Sequence, residues 1–271
     1  MTAATVERPV AGTAPLAIEG ATLVARDIDL LTRYYAEELG FELLQRDAAG
    51  AALGAGGRPL LRLRSEPGAR LAEAHEAGLF HLAWLLPSRT DLARWALRAH
   101  ANGIPMGASD HIVSEALYLT DPEGNGIEVY ADREPSSWDF SGGQVKMATR
   151  RLDLRALCAS AGGECSGVPA GTVLGHVHLK VGENAPAEAF WTQALSLQVT
   201  ARYGAQAVFM AGMHPSGTRY HHHVAANIWD SAGTGPRKAN STGLDHFVVK
   251  APHLPPGERI DPWGNRAVVA G

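Results

Sequence analysis

"SDHIVSEALYLTDPEGNGIEVYAD", residues 109 to 132, packs two strand-like runs and a tight turn into one short stretch. His111 stands near its start, an apolar run ends in Tyr118, and D-P-E-G-N-G supplies the turn. Beyond the turn, Glu128 interrupts the apolar run of Ile127, Val129 and Tyr130. A carboxylate buried alone is costly, so something positive should meet it.

The stretch closes one unit of a repeat. Residues 79 to 104, "LFHLAWLLPSRTDLARWALRAHANGI", read as a strand followed by a helix, with Pro87 and Ser88 at the junction and Gly103 near the helix end. Residues 18 to 44 have the same pattern, and so do residues 174 to 200. The helix ends match in kind: Tyr34, Tyr35, Leu39 and Phe41 against Phe190, Trp191, Leu195 and Leu197. A fourth start, "LDHFVVKAP", begins at Leu244, but the sequence stops before a helix could form. Such self-similarity outweighs any single assignment. The expected fold is α+β, built of repeated βαβββ modules with the fourth truncated. A module of this size buries its own sheet face poorly, so modules should pair.

The 271 residues are 45% hydrophobic and 19% charged, as in a globular chain. No apolar stretch approaches the roughly 18–20 residues of a membrane span. Residues 1–15 are small and polar, without a signal-peptide core, and read as a flexible tail. A net charge of −4 and the lack of a basic run argue against nucleic acid as the main partner. The two cysteines, Cys158 and Cys165, read as reduced thiols, which favours a cytoplasmic location. The expected division is a first domain over 16–132, a linker with one short helix over 133–171, and a second domain over 172–271.

In register, the opening strands place His81, His176 and His246 at one position, where the first unit has Gly20. Aligned on their G-N turns, the closing strands place Glu128 opposite Val268. His178 shares the face of His176 by strand alternation, so register must choose between them.

Asp110 to Glu128 resembles the signature of type I extradiol ring-cleaving dioxygenases of the vicinal oxygen chelate superfamily. The matching positions are His111, Leu117, Tyr118, Asp121, Pro122, Gly124 and Glu128, with Ser109 a mild departure. "FHLAWLLP", "GHVHLKV" and "YHHHVAANIW" extend the resemblance over nearly the whole chain, toward the Bacillus-type catechol 2,3-dioxygenase subgroup. It implies the vicinal oxygen chelate fold, with paired curved mixed sheets and helices outside. It also implies Fe(II), with Mn(II) as a substitute, held by His81, Glu128 and His176, with O2 as co-substrate. Two histidines and one carboxylate leave positions on iron for both oxygens of an aromatic diol and for O2. On the same footing His222 is the expected acid–base residue, and His111 and Tyr118 are expected to orient the substrate. The implied activity is meta cleavage of a catechol to a muconic semialdehyde, in aromatic hydrocarbon catabolism.

By elimination, only the second and third units together complete this ligand set, so they are expected to face each other while the first packs on the remnant of the fourth. Pairing between two chains would satisfy the same argument, and the missing helix of the fourth unit points to a homo-oligomer. His246, whose unit lacks the carboxylate, reads as structural. His221 and His223 flank His222 on the opposite face, a pattern suited to packing or solvent contact. Trp84, Trp95, Trp191 and Trp229 read as core. Two other functions share the fold: a glyoxalase-like metal isomerase or lyase, and a metal-free protein that binds an aromatic drug.

Overall fold

The computed structural model describes residues 11–12, 15–163, 166–213 and 219–271. Most of the expected N-terminal tail, and Cys165, lie outside the described residues.

Four modules follow one another. The first holds β1 (Ala17–Ala25), α1 (Ile28–Arg33), β2 (Glu42–Arg46), β3 (Gly50–Ala55) and β4 (Arg58–Ser65). The second holds β5 (Gly78–Leu85), α2 (Arg89–Ala101), β6 (Gly107–Asp110), β7 (Ser114–Thr120) and β8 (Gly126–Asp132). A connecting segment carries β9 (Arg150–Arg151) and α3 (Leu154–Ala159). The third module repeats the order with β10 (Val173–Lys180), α4 (Asn184–Ala194), β11 (Leu197–Tyr203), β12 (Ala207–Gly212) and β13 (Val224–Asn227). The fourth has only strands: β14 (Gly243–Lys250), β15 (Gly257–Ile260) and β16 (Arg266–Val269).

Local chemistry sets these boundaries. Ser88 is extended and its hydroxyl accepts the Asp91 N–H at 3.1 Å, an N-cap worth about 1 kcal/mol. After α1 the chain widens into one π turn, Tyr34–Glu38, whose Tyr34 and Tyr35 are buried. Tyr35 donates to Asp121 Oδ2 at 3.1 Å, so the first module grips the turn that precedes Glu128. Asp121 also accepts the Asn125 amide at 2.8 Å and the backbone N–H groups of Glu123 and Asn125 at 2.9 Å. Gly124 supplies the positive φ of +89° that this turn needs. The fourth module repeats the device with Asp261 and Asn265.

The strands form one mixed sheet in which modules pair across the chain. β10 runs antiparallel to β5, with His178 opposite His81 and His176 opposite Ala83. β1 runs antiparallel to β14, and β10 also meets β1 through the Ile18–Leu174 pair. The second and third modules therefore meet within one chain, as do the first and fourth. Trp84, Trp95 and Trp191 are fully buried in the main core. Among the described residues, no helix is long and apolar enough to cross a membrane.

Candidate metal centre

Three strands from two modules aim their side chains at one point. β5 brings His81, β8 brings Glu128, and β10 brings His176. β8 lies parallel to β5, with Glu128 level with Ala83, and Ala83 is in turn the cross-strand neighbour of His176. The small alanine leaves room for the three larger side chains to converge. His81 Nε2 lies 2.9 Å from Glu128 Oε2, His176 Nε2 lies 3.1 Å from the same oxygen, and the two nitrogens are 3.2 Å apart. All three residues are buried.

This donor set fits a divalent cation. Metal–ligand distances of about 2.1 Å would place adjacent corners of an octahedron about 3.0 Å apart, which is the spacing found here. Burial pushes the Glu128 carboxyl up, but the imidazoles of His176 and His81 outweigh it and hold the group well below the usual carboxylate range. Burial, partly offset by Glu128, drops the His176 imidazole to about 4. The set is thus one anion and two nitrogen donors, with His176 neutral, the form in which histidine binds metal.

His178 faces the same space but is occupied otherwise: its Nε2 accepts the Asn227 amide at 3.0 Å. Asn227, on β13, thus gives His178 a partner other than the three converging donors. His246 lies away from the centre, with Nδ1 2.7 Å from Asp245 Oδ2.

A cavity of about 560 Å³ opens onto the three donors. His111, Tyr118 and His222 line it. Tyr118 faces Glu128 directly across the β7–β8 pair, and its hydroxyl lies 2.6 Å from His111 Nε2. His111 Nδ1 is 3.0 Å from the Ala148 carbonyl, which can only accept. Its proton is therefore on Nδ1, and Nε2 accepts from the Tyr118 O–H. Burial, and the charge of Glu128 next to it, push the Tyr118 phenol up. The His222 ring lies 4.0 Å from that of His176, centre to centre. Burial and the surrounding imidazoles hold His222 well below the ordinary histidine value, so it is neutral.

One expectation needs correction. Trp229 is 40% exposed and lines the cavity, stacked edge-on to Phe80 at 5.1 Å, so it is a wall residue and not core. Composition shows how many aromatics a chain has, but not which face each one takes. For His221 and His223, read as serving packing or solvent contact, complete burial decides for packing. His221 Nδ1 lies 2.8 Å from His222 Nδ1, and its Nε2 lies 2.9 Å from Asp132 Oδ1. Asp132 had no sequence signal beyond its place two residues after Tyr130 and four after Glu128.

Comparison with known proteins agrees with this architecture. The profile of the glyoxalase/bleomycin resistance protein/dioxygenase superfamily matches residues 17–129. Catechol-2,3-dioxygenase of Bacillus subtilis is 39% identical over 256 residues, covering 93% of this chain and 87% of that protein. A solved Bacillus subtilis structure, described as a candidate dioxygenase, superposes with a TM-score of 0.58 at 13% identity, covering 93% of this chain and 84% of that one. Glyoxalase I of Zea mays gives 0.54 at 14% identity, over 94% of this chain and 92% of that one. At such identities the two structures speak for the fold alone, and the Bacillus sequence carries the closer kinship. The chain belongs to the glyoxalase/bleomycin resistance protein/dioxygenase superfamily, as an enzyme of its dioxygenase type.

Proposed function

We propose that the protein cleaves catechol, or a substituted catechol, beside the diol with O2, using Fe(II) held by His81, Glu128 and His176. The product would be a muconic semialdehyde. The observation that carries this reading is the buried donor set at the head of a cavity whose wall also presents Tyr118, His111 and His222. The name of the Bacillus subtilis relative supports the substrate class. Bound iron would supply a Lewis acid and an electron conduit between the diol and O2. Mn(II) would suit the same donors.

The protein's own groups do the rest. Neutral His222 takes a proton from a diol hydroxyl and returns it as the ring opens, work suited to an imidazole near neutral pH. Tyr118, held by His111, sets its hydroxyl beside Glu128, where it can meet a substrate oxygen. Phe80, Phe209 and Trp229 form an aromatic wall, and Val145 and Met147 add aliphatic surface. Arg202 is the one arginine or lysine among the described lining residues, and Glu188 holds both its terminal nitrogens, at 2.5 and 2.7 Å. With that guanidinium engaged, the cavity suits neutral, apolar substituents better than carboxylated ones.

The test is to load the protein anaerobically with Fe(II), add catechol or alkyl and aryl catechols, admit air, and record the yellow ring-fission product. Colour is expected. A protein that keeps its iron and yields no colour with any of these catechols would overturn the reading in favour of a glyoxalase-like lyase.

A further inference from the structure

Side chains alternate along a strand, so Glu128, Tyr130 and Asp132 share one face of β8. The second and third of these extend from the metal centre into a buried polar network. His176 Nδ1 lies 3.3 Å from the Tyr130 hydroxyl, which lies 2.8 Å from the Tyr220 hydroxyl, which reaches Asp132 Oδ2 at 2.9 Å. Asp132 Oδ1 is 2.9 Å from His221 Nε2, and His221 Nδ1 is 2.8 Å from His222 Nδ1. Two chains of hydrogen bonds thus end on one carboxylate. Tyr130, Tyr220 and His221 are each fully buried. The network needs Gly175: a Cβ there would stand 1.9 Å from the Tyr130 hydroxyl.

The directions follow from the end point, because a carboxylate only accepts. Tyr220 donates to Asp132, so its oxygen must accept from Tyr130. The Tyr130 oxygen is then left to accept from His176 Nδ1–H, which is where the His176 proton must sit once Nε2 is given to a cation. On the other arm His221 donates Nε2–H to Asp132, so its Nδ1 is bare. His222 must then donate Nδ1–H to it, and His222 Nε2 is left without a proton. The contact that holds His222 thus runs through its Nδ1, and the residue itself lines the cavity.

We propose that Asp132 is the positioning residue of this site, directing the protons of His176 and His222 onto Nδ1 so that both Nε2 lone pairs are available at the cavity. The role of His222 rests on the function proposed above, whereas the proton positions do not. The arrangement explains why one histidine, His221, and two tyrosines, Tyr130 and Tyr220, are buried together behind the centre. It also explains how His222 is presented as a base and not as a donor.

The test is nuclear magnetic resonance of protein labelled with [15N]histidine and loaded with Zn(II), a diamagnetic stand-in. Long-range proton–nitrogen correlations report which ring nitrogen carries the proton, and His222 is assigned by the loss of its signals in His222→Gln. Wild-type His222 is expected as the Nδ1–H form. Asp132→Asn, whose amide can donate to His221, should move it to Nε2–H. In iron-loaded protein the same variant should lower kcat about 10- to 100-fold, with KM within about two-fold. Tyr220→Phe breaks only the other arm: Zn(II) affinity, by chelator competition, should fall about 10-fold with the His222 form unchanged. An Nε2–H form in the wild type overturns the proposal, even should Asp132→Asn fail to fold. So does an unchanged Nδ1–H form in a folded Asp132→Asn. If the proton positions hold while iron-loaded wild type opens no catechol, the function falls and the positioning role stands.

Discussion

Replacing Glu128 by glutamine keeps the shape of the side chain and removes its charge, which isolates the part of metal binding owed to the anion. Glu128 is 3% exposed, and the ion-pair contacts of its carboxylate are His81 and His176, at 2.9 and 3.1 Å. No lysine or arginine stands in for the cation among those contacts. Outer partners of metal ligands are worth about 10- to 100-fold in affinity, so loss of the anionic ligand itself should weaken binding by at least about 100-fold. A cation at 100 times its dissociation constant stabilises the native state by about 2.7 kcal/mol, and at its dissociation constant by about 0.4 kcal/mol. At about 2.1 cal/mol/K for each of 271 residues, the unfolding entropy is about 0.57 kcal/mol/K. Wild type should therefore gain about 5 °C in Tm on saturating with Fe(II), and Glu128→Gln less than about 1 °C at the same concentration. Anaerobic differential scanning calorimetry of the two apoproteins, with and without metal, reads this directly. A full thermal shift in Glu128→Gln would refute the assignment of Glu128 as a metal ligand.

Other predictions concern the cavity and the acid response. His222→Gln should retain its iron, as measured by a colorimetric chelator, while kcat for ring fission falls about 10²- to 10⁴-fold, the usual range for a lost acid–base group. Undiminished turnover would remove His222 from the chemistry. Glu188→Ala frees the Arg202 guanidinium, so KM for a carboxylated catechol should fall a few-fold, in keeping with the roughly 0–1 kcal/mol of an exposed ion pair, while that for catechol stays put. Equal changes for both substrates would place Arg202 out of reach of the substituent. Burial, helped by the neighbouring imidazoles of His221 and His176, holds the His223 imidazole at about 3, against 6.5 for the free group. The unfolded chain therefore binds a proton that the native state refuses, and stability falls as pH drops from about 6.5 toward about 3. Urea denaturation at pH 6.5 and pH 5.0 should show that His223→Gln escapes up to about 2 kcal/mol of this loss. An identical loss in both proteins would mean that His223 is protonated in the native state.

The repeat made much of this legible. His81 and His176 recur at equivalent places in similar strands, and Glu128 follows a turn whose D-P-x-G-N chemistry is written out in the sequence; the resemblance to the extradiol dioxygenases joined them into one set, and the structure brings the three together. The hydrogen bond of His178 was not legible, since it depends on the Asn227 amide from another strand. The identity of the wall was hidden as well: Trp229 and Trp191 read alike, but one lies on the cavity and the other in the core. The network behind His222 depends on Tyr220 and Asp132 being close, although 88 residues separate them in the chain. Alternation along β8 puts Tyr130 and Asp132 on the face of Glu128, but only tertiary structure shows what they reach.

The crossed pairing of modules has a further consequence during synthesis. β5, "GLFHLAWL", and β1 both border β10, and β1 also borders β14, yet these partners are made long after them. A nascent chain that has reached residue 132 holds two apolar strands with unpaired edges, the kind of edge that invites association with other chains. β10 covers the edge of β5 once residue 180 has emerged, but the edge of β1 stays open to other chains until β14 is made, up to residue 250.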